Sequence, residues 1–146
     1  MIKHYTWKFC HFSHMKNDGS GIRSRIKSFG FAINGIKQLF QSEPNARLHL
    51  LAAILVITVG FFLNISTSDW LWISLAVALV FILELTNSAI EMLVDLVQPT
   101  YHPLAGKVKD MMAGAVLISA IFSVIVGLLI FTPHFLTFFS LNRSIA

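Results

Sequence analysis

The residues best suited to chemistry in this sequence are four polar side chains spaced along one apolar segment. They are Glu84, Asn87, Glu91 and Asp95, at positions i, i+3, i+7 and i+11. Because an α-helix turns by about 100° per residue, these side chains fall on a single stripe. Carboxylates within an apolar span are unfavourable and normally face a protein interior or a polar cavity. The stripe therefore predicts a functional site inside a helix bundle.

Depth along the helix separates two of these carboxylates. Glu84 comes 14 residues after Trp70, where the apolar segment begins, which is about 21 Å along a helix. Since the apolar slab of a bilayer is about 30 Å thick, Glu84 is predicted to lie inside the slab and Glu91 near its surface. We expect the deep carboxylate to meet a lipid headgroup and act as a general base, and the shallower one to meet a water-soluble reactant.

Two further polar clusters flank the neighbouring apolar segments. One comprises Glu43, Asn45, Arg47 and His49, and the other Tyr101, His102, Lys107, Lys109 and Asp110. Carboxylates and lysines around one interface suit a magnesium-bound nucleotide, because Mg²⁺ is typically held by one or two carboxylates together with phosphate oxygens. Lysine neutralises charge on the phosphates. The sequence contains neither G-x-x-x-x-G-K-[ST] nor a protein-kinase glycine-rich loop, so neither familiar phosphate cradle is available.

Each cluster taken alone also has a structural explanation. Glu84 and Asn87 would join the spans of an oligomer through interhelical hydrogen bonds. Lys107 and Lys109 are what the positive-inside rule places in a cytoplasmic connection. Asp95, near the helix end, is interpreted as a site-organising residue that holds a neighbouring donor. Convergence of three clusters on one face favours a site, with a small transporter or proton-relay subunit and a trimeric scaffold as the alternatives.

The composition indicates which solvent these elements occupy. Hydrophobic residues make up 55% of the 146 residues and charged residues 12%, with a mean hydropathy of +0.72. Soluble domains carry about twice that charged fraction, so the bilayer is the natural solvent. The single cysteine, Cys10, excludes an internal disulfide. The net charge of +4 comes from cations beside apolar segments, which favours anionic lipid headgroups and a nucleotide over nucleic acid.

An all-α membrane protein follows, with the site carried by four helices. Three transmembrane helices are predicted over residues 48–63, 70–97 and 111–131, the last ending before Pro133. Ahead of them, residues 21–41 are predicted to form an amphipathic surface helix with a basic polar face that lies in the interface plane. Its apolar stripe consists of Ile22, Ile26, Phe29, Ile33, Ile36 and Phe40.

The two ends of the chain, residues 1–20 and 132–146, lie outside the predicted helices. Residues 1–20 show no periodicity and are predicted to be a disordered leader, in which Met15 is a second candidate start. The leader's His4, Cys10, His11 and His14 match no strong zinc signature. Residues 132–146 are taken as a C-terminal tail.

Orientation in the membrane follows from the cations. Eight of the eleven Lys and Arg residues precede Leu48, and two more, Lys107 and Lys109, lie between the second and third spans. By the positive-inside rule, the amino terminus and this connection face the cytoplasm, and the carboxy terminus faces outside.

Three sequence stretches then identify a family resemblance. E-L-T-N-S-A-I-E-x-x-x-D at 84–95, Y-H-P-L-A at 101–105 and K-x-K-D-M-M-A-G-A-V-L at 107–117 resemble the small bacterial integral-membrane diacylglycerol kinase and undecaprenol kinase family. The likeness covers about residues 22–131, and E-P-N-A-R-L-H-L at 43–50 fits the same family. It implies a homotrimer in the bacterial inner membrane, with active sites between subunits, that phosphorylates a lipid alcohol with ATP and Mg²⁺.

The resemblance also implies roles for individual residues. Glu84 matches the general base on the lipid hydroxyl, Glu43 and Glu91 the metal and ATP ligands, and Asn87 a site-organising residue. The residues that match further ATP contacts are Phe31, Tyr101, His102, Lys109 and Asp110. The stretches N-A-R-x-H-L and G-F-F-x-x-I-S resemble the undecaprenol kinase branch more closely, so undecaprenol is favoured over diacylglycerol as the substrate.

Overall fold

The computed structural model describes residues 21–143, and every regular element in that range is an α-helix. The helices are α1 (Gly21–Ser42), α2 (Pro44–Phe62), α3 (Thr67–Val97) and α4 (Pro103–Arg143). Three of them are long and apolar enough to cross a membrane, over Pro44–Phe62, Thr67–Val97 and Pro103–Phe138. The all-α membrane class is thus confirmed. The predicted leader, with its histidines and Cys10, lies outside the described residues.

Helix α1 covers the segment predicted as a surface helix. The chain divides into two compact units, Met1–Asn34 and Gly35–Ala146, so α1 begins in the first unit and ends in the second. The first unit contributes its described residues, 21–34, as continuous helix. The interface-plane location of α1 stays a prediction.

The connections between the helices have recognisable local causes. Pro44 occupies the first turn of α2, where its fixed φ suits a helix start and its missing N–H is not needed. Asn64 ends the next corner with φ of 49°, a left-handed conformation that asparagine tolerates. Ser66 and Asp69 then form a capping box that starts α3.

The buried core lies where α3 packs against α4 and, less extensively, α2. Ile65, Ile73, Ala76, Val126 and Ile130 form its centre. Small residues allow the backbones of α3 and α4 to approach closely. At one such point the Oγ of Ser123 on α4 donates to the Ala76 carbonyl on α3 at 3.3 Å. In α3 the buried face continues from Ile73, Ala76 and Val80 to Glu84 and Ser88. The helix that builds the core therefore also buries the first carboxylate of the stripe.

The third span differs from the expected stop at Pro133. Helix α4 contains Pro133 in its interior and continues to Arg143. Proline removes one backbone donor, but in spanning helices neighbouring groups satisfy the freed carbonyls. Pro133 leaves the Leu129 carbonyl without its usual helical donor. One residue further on, the Nδ1–H of His134 donates to the Ile130 carbonyl at 2.7 Å. Phe138 packs on Phe62, with ring centroids 5.8 Å apart, which fastens the extension to the end of α2.

Candidate functional site

Glu84 is the buried centre of the candidate site. Its exposed fraction is 3%, and no hydrogen-bond partner exists for it within residues 21–143. His49, Glu43 and Glu91 lie near enough for electrostatic interaction with it. A buried carboxylate beside two others is destabilising unless another group compensates. This arrangement therefore points to a use of Glu84 beyond packing.

Glu43 reaches α3 from the corner between α1 and α2. It occupies the N-cap position of α2, but its side chain makes no capping hydrogen bond. Its Oε1 instead accepts a hydrogen bond from the Oγ of Ser88 at 3.3 Å. The carboxylate thus joins the α1–α2 corner to the stripe on α3.

Ser88 is a site residue that the sequence interpretation missed. It is buried, with an exposed fraction of 4%, and lies one helical turn after Glu84. The available signal was this i+4 spacing, which places Ser88 on the same stripe. A serine in an apolar span is common enough that the spacing alone did not single it out.

Asn87 and Glu91 form a second link along α3. The Nδ2 of Asn87 donates to the Oε1 of Glu91 at 2.9 Å. The carboxylate can only accept, so this bond fixes which end of the amide faces Glu91. The Oδ1 of Asn87 is buried and has no donor in the described part of the chain. A buried acceptor without a partner is rare in native proteins and indicates a missing donor or cation.

A separate ion pair lies where α3 ends and α4 begins. The Nζ of Lys109 donates to the Oδ1 of Asp95 within hydrogen-bond distance. Lys109 is therefore the donor next to Asp95. The side chain of Asp95 is 66% exposed and that of Lys109 34%, so the pair itself adds little stability.

The other predicted nucleotide contacts of the second compact unit, Tyr101, His102 and Asp110, share no hydrogen bond or ion pair with one another in the described part of the chain. Tyr101 is 93% exposed, and Asp110 is exposed without a hydrogen bond or ion pair to any described residue. His102 supports the start of α4, since its Nδ1 accepts the Leu104 N–H at 3.2 Å. Phe31 lies on α1 within the first compact unit.

The carboxylates fit a magnesium–nucleotide complex better than a metal alone. Across residues 21–143, no group of three or more His, Cys, Asp or Glu side chains is arranged to hold a metal. Mg²⁺ bound with phosphates needs only one or two carboxylates. Glu43 and Glu91 supply two, and the unpartnered Oδ1 of Asn87 is a third oxygen of the type that such cations accept.

An apolar groove lies between the three spanning helices, and none of its lining residues is a carboxylate. It has a volume of about 550 Å³ and is lined by side chains of α2, α3 and α4. His49 lines one part of it, and Phe81, which precedes Glu84 by about one turn, lines another. Such a lining suits a hydrocarbon chain.

Comparisons with known proteins agree on one family. A family model described as prokaryotic diacylglycerol kinase matches residues 30–131. An undecaprenol kinase of Bacillus subtilis is 45% identical over 108 residues, covering 74% of this chain and 88% of that protein. A diacylglycerol kinase of Synechocystis is 40% identical over 113 residues, covering 77% and 65%. The diacylglycerol kinase of Escherichia coli K12 is 33% identical over 121 residues, covering 83% and 99%.

Proposed function

The chain belongs to the prokaryotic diacylglycerol kinase family, and on that premise we propose that it phosphorylates a membrane lipid alcohol with ATP in a magnesium-dependent reaction. The observation that carries this proposal is Glu84, a buried carboxylate in a spanning helix with Glu43 and Glu91 close enough for their charges to act on it. The transporter or proton-relay alternative is not favoured, because the relatives are named as kinases.

The proposed chemistry begins at Glu84. Its carboxylate accepts the proton of the lipid hydroxyl while the hydroxyl oxygen attacks the γ-phosphorus of ATP and the bond to ADP breaks. Glu43 and Glu91 hold Mg²⁺, which when bound neutralises charge on the phosphate oxygens. Asn87 fixes the orientation of Glu91 through its amide hydrogen bond. Burial of Glu84 keeps competing water away from the attacking hydroxyl.

The nucleotide contacts complete the proposed site. Lys109 stabilises charge on the transferring phosphoryl group, and Asp95 holds Lys109 in place through their ion pair. Phe31, Tyr101, His102 and Asp110 are assigned to ATP binding. The family resemblance leads us to propose a homotrimer whose sites are shared between subunits, and the exposed side chains of Tyr101 and Asp110 are accessible to ATP in each subunit.

The substrate is proposed to be undecaprenol rather than diacylglycerol. The higher identity to the B. subtilis undecaprenol kinase, 45%, than to the diacylglycerol kinases, 40% and 33%, supports this choice. The test offers each lipid alcohol separately, in mixed micelles with radiolabelled ATP and Mg²⁺. Label entering undecaprenol with much higher kcat/KM is expected. Preference for diacylglycerol would reverse the substrate choice, and transfer to neither lipid would end the proposal.

The site is proposed to face the cytoplasm of a bacterial inner membrane. In a background with Cys10 replaced by serine, a cysteine at Thr67 should react with an impermeant thiol reagent added outside intact cells, and one at Gly106 should not. These positions lie at opposite ends of the helix pair, on α3 and α4. The reverse labelling pattern would contradict the orientation and separate the site from cellular ATP.

A further inference from the structure

Arg47 makes two hydrogen bonds that no proposed step uses. Its Nε donates to the Phe40 carbonyl at 2.7 Å, and its Nη2 donates to the Gln41 carbonyl at 2.7 Å. Both carbonyls lie in the last turn of α1, and Arg47 itself lies in the first turns of α2. The guanidinium thus bridges the two helices at their corner.

The sequence explains why this corner needs an external donor. Within a continuous helix the Phe40 carbonyl would accept from the N–H of residue 44, but that residue is Pro44, which has none. The preceding carbonyl, of Leu39, is satisfied by the Glu43 N–H at 2.9 Å. The last carbonyls of a helix are both unsatisfied and partially negative, which favours a cation. The planar fork of arginine presents two donors on separate nitrogens in a fixed geometry, whereas lysine offers its donors from a single flexible nitrogen.

Glu43 lies in the chain between the two helix ends that the Arg47 side chain connects. It follows the two carbonyls that Arg47 binds and precedes Arg47 by about one helical turn. Because its side chain caps neither helix, nothing else on its own corner fixes the direction of its carboxylate. Among the described residues, this carboxylate accepts one hydrogen bond, from the Oγ of Ser88 at 3.3 Å, which is long for a hydroxyl donor.

We propose that Arg47 is a positioning residue. Its two backbone hydrogen bonds fix the conformation of the α1–α2 corner and thereby orient the Glu43 carboxylate for Mg²⁺ bound with ATP. This inference rests on the proposed metal role of Glu43. It gives Arg47 a role through the two backbone carbonyls that it binds and not through a contact with the phosphates or the lipid. Residues that orient a metal ligand typically change metal affinity by about 10–100-fold when mutated.

The first test measures metal binding without turnover. The purified full-length protein in detergent micelles is titrated with Mn²⁺ in the presence of a non-hydrolysable ATP analogue, and free Mn²⁺ is followed by electron paramagnetic resonance. R47Q should raise the Mn²⁺ dissociation constant about 10-fold or more. R47K, which keeps the charge but loses the planar fork, should fall between R47Q and the wild type. K37Q removes the same charge from exposed α1 and should bind as the wild type does.

A double-mutant cycle decides how Arg47 acts. If Arg47 works through Glu43, then E43Q and the E43Q/R47Q double variant should bind Mn²⁺ equally weakly, because the group being positioned is already gone. Additive losses would instead assign Arg47 a direct phosphate contact and overturn the inference. Wild-type affinity in both R47Q and R47K would overturn it as well. Oligomer mass is measured on each preparation. If R47Q does not assemble, the Mn²⁺ titration and the double-mutant cycle are carried out with R47K instead.

Activity separates this inference from the proposed function. With either lipid, R47Q should raise the Mg²⁺ concentration for half-maximal activity while leaving the lipid KM unchanged. A wild-type protein that transfers phosphate to neither lipid refutes the proposed function. A wild-type protein that is active, with an unchanged Mg²⁺ requirement in R47Q, refutes only the role of Arg47.

Discussion

The two ends of α3 differ in how their polar groups are satisfied. At the turn end, residues 60–70, Ser66 and Asp69 exchange three hydrogen bonds of 2.8–3.2 Å between side chains and backbone. There Ile65 is buried in the core and Trp70 covers Gly60. The carboxylate end comprises Glu43, Glu84, Asn87, Ser88 and Glu91. There the carboxylate of Glu84 is buried without a hydrogen bond among the described residues, and the Oδ1 of Asn87 lacks a donor.

This contrast separates a region shaped by stability from a region shaped by function. Capping, close packing and a completed set of hydrogen bonds all lower the free energy of the folded chain. A buried acidic group beside two others raises that free energy, and natural proteins keep such violations mainly where function needs them. Substitutions at the two ends should therefore affect different measurements.

The largest expected effect is the loss of turnover in Glu84→Gln. The substitution keeps shape and hydrogen-bonding capacity but removes the proton acceptor, so turnover should fall by about 10²–10⁴-fold, roughly 3–5 kcal/mol. Because a buried negative charge is also removed, assembly should be as stable as the wild type or more so. Oligomer mass and turnover per assembly are measured on one preparation. Full turnover there would end the general-base proposal.

A companion variant tests geometry at the same position. Glu84→Asp retains the acid but shortens the arm by about 1 Å, which is enough to impair a positioned base. We expect turnover below the wild type with ATP affinity unchanged. If Glu84 only joined helices, assembly would fail first in both variants and the surviving oligomers would turn over normally.

The next effect concerns the proposed metal ligand at the carboxylate end. Glu91→Gln should lower turnover by roughly 10²-fold, since metal stabilisation of transition-state charge contributes several kcal/mol, about 3 kcal/mol here. The Mg²⁺ requirement should rise in parallel, and the Asn87 hydrogen bond should survive with an amide acceptor. Wild-type activity at limiting Mg²⁺ would remove Glu91 from the metal site.

At the turn end the expected effect is on stability. A Cβ added at Gly60 would lie 2.9 Å from the Cη2 of Trp70 and 3.0 Å from the Cδ1 of Ile65. Gly60→Val should therefore destabilise the protein by about 1–3 kcal/mol while turnover per folded assembly stays unchanged. Gly127→Val is the matched control, because no atom lies within 4 Å of its Cβ position. Thermal midpoints in micelles compare the pair, and equal midpoints would contradict the close approach.

The smallest expected effect comes from the capping box. Ser66→Ala removes the side-chain acceptor for the Asp69 N–H and should cost about 1 kcal/mol, with kcat and the Mg²⁺ requirement as in the wild type. Ser68→Ala removes a hydroxyl from the same turn of α3 and is the control. A drop in per-assembly turnover for Ser66→Ala would show that the two ends are coupled, which the contrast does not predict.

Local features explain what the sequence predicted well. The three spanning helices follow from the length and polarity of apolar runs, which any bilayer requires of a single segment. The placement of Glu84 on the buried face of α3 follows from helical period, since Ile73, Ala76, Val80 and Glu84 share one side. The family resemblance, confirmed by the match over residues 30–131, rests on a continuous motif that needs no fold to be recognised.

Proline was the local signal that misled. Pro133 is an ordinary helix terminator in water, yet α4 continues to Arg143. In a membrane span, neighbouring groups tolerate the lost donor, and the packing of Phe138 on Phe62 holds the segment after Pro133. That contact joins residues 76 positions apart and is not visible from the order of residues.

The order of residues thus specifies the helices, their apolar faces and the residue types on the α3 stripe, because each is set within a few turns of chain. Packing between helices specifies which side chains meet: Ser88 with Glu43 from 45 residues away, Lys109 with Asp95, and Arg47 with the end of α1. These contacts depend on how far one helix is rotated against another and on where a corner bends. Those quantities are set by packing over the whole bundle and leave no periodic signal in any one segment.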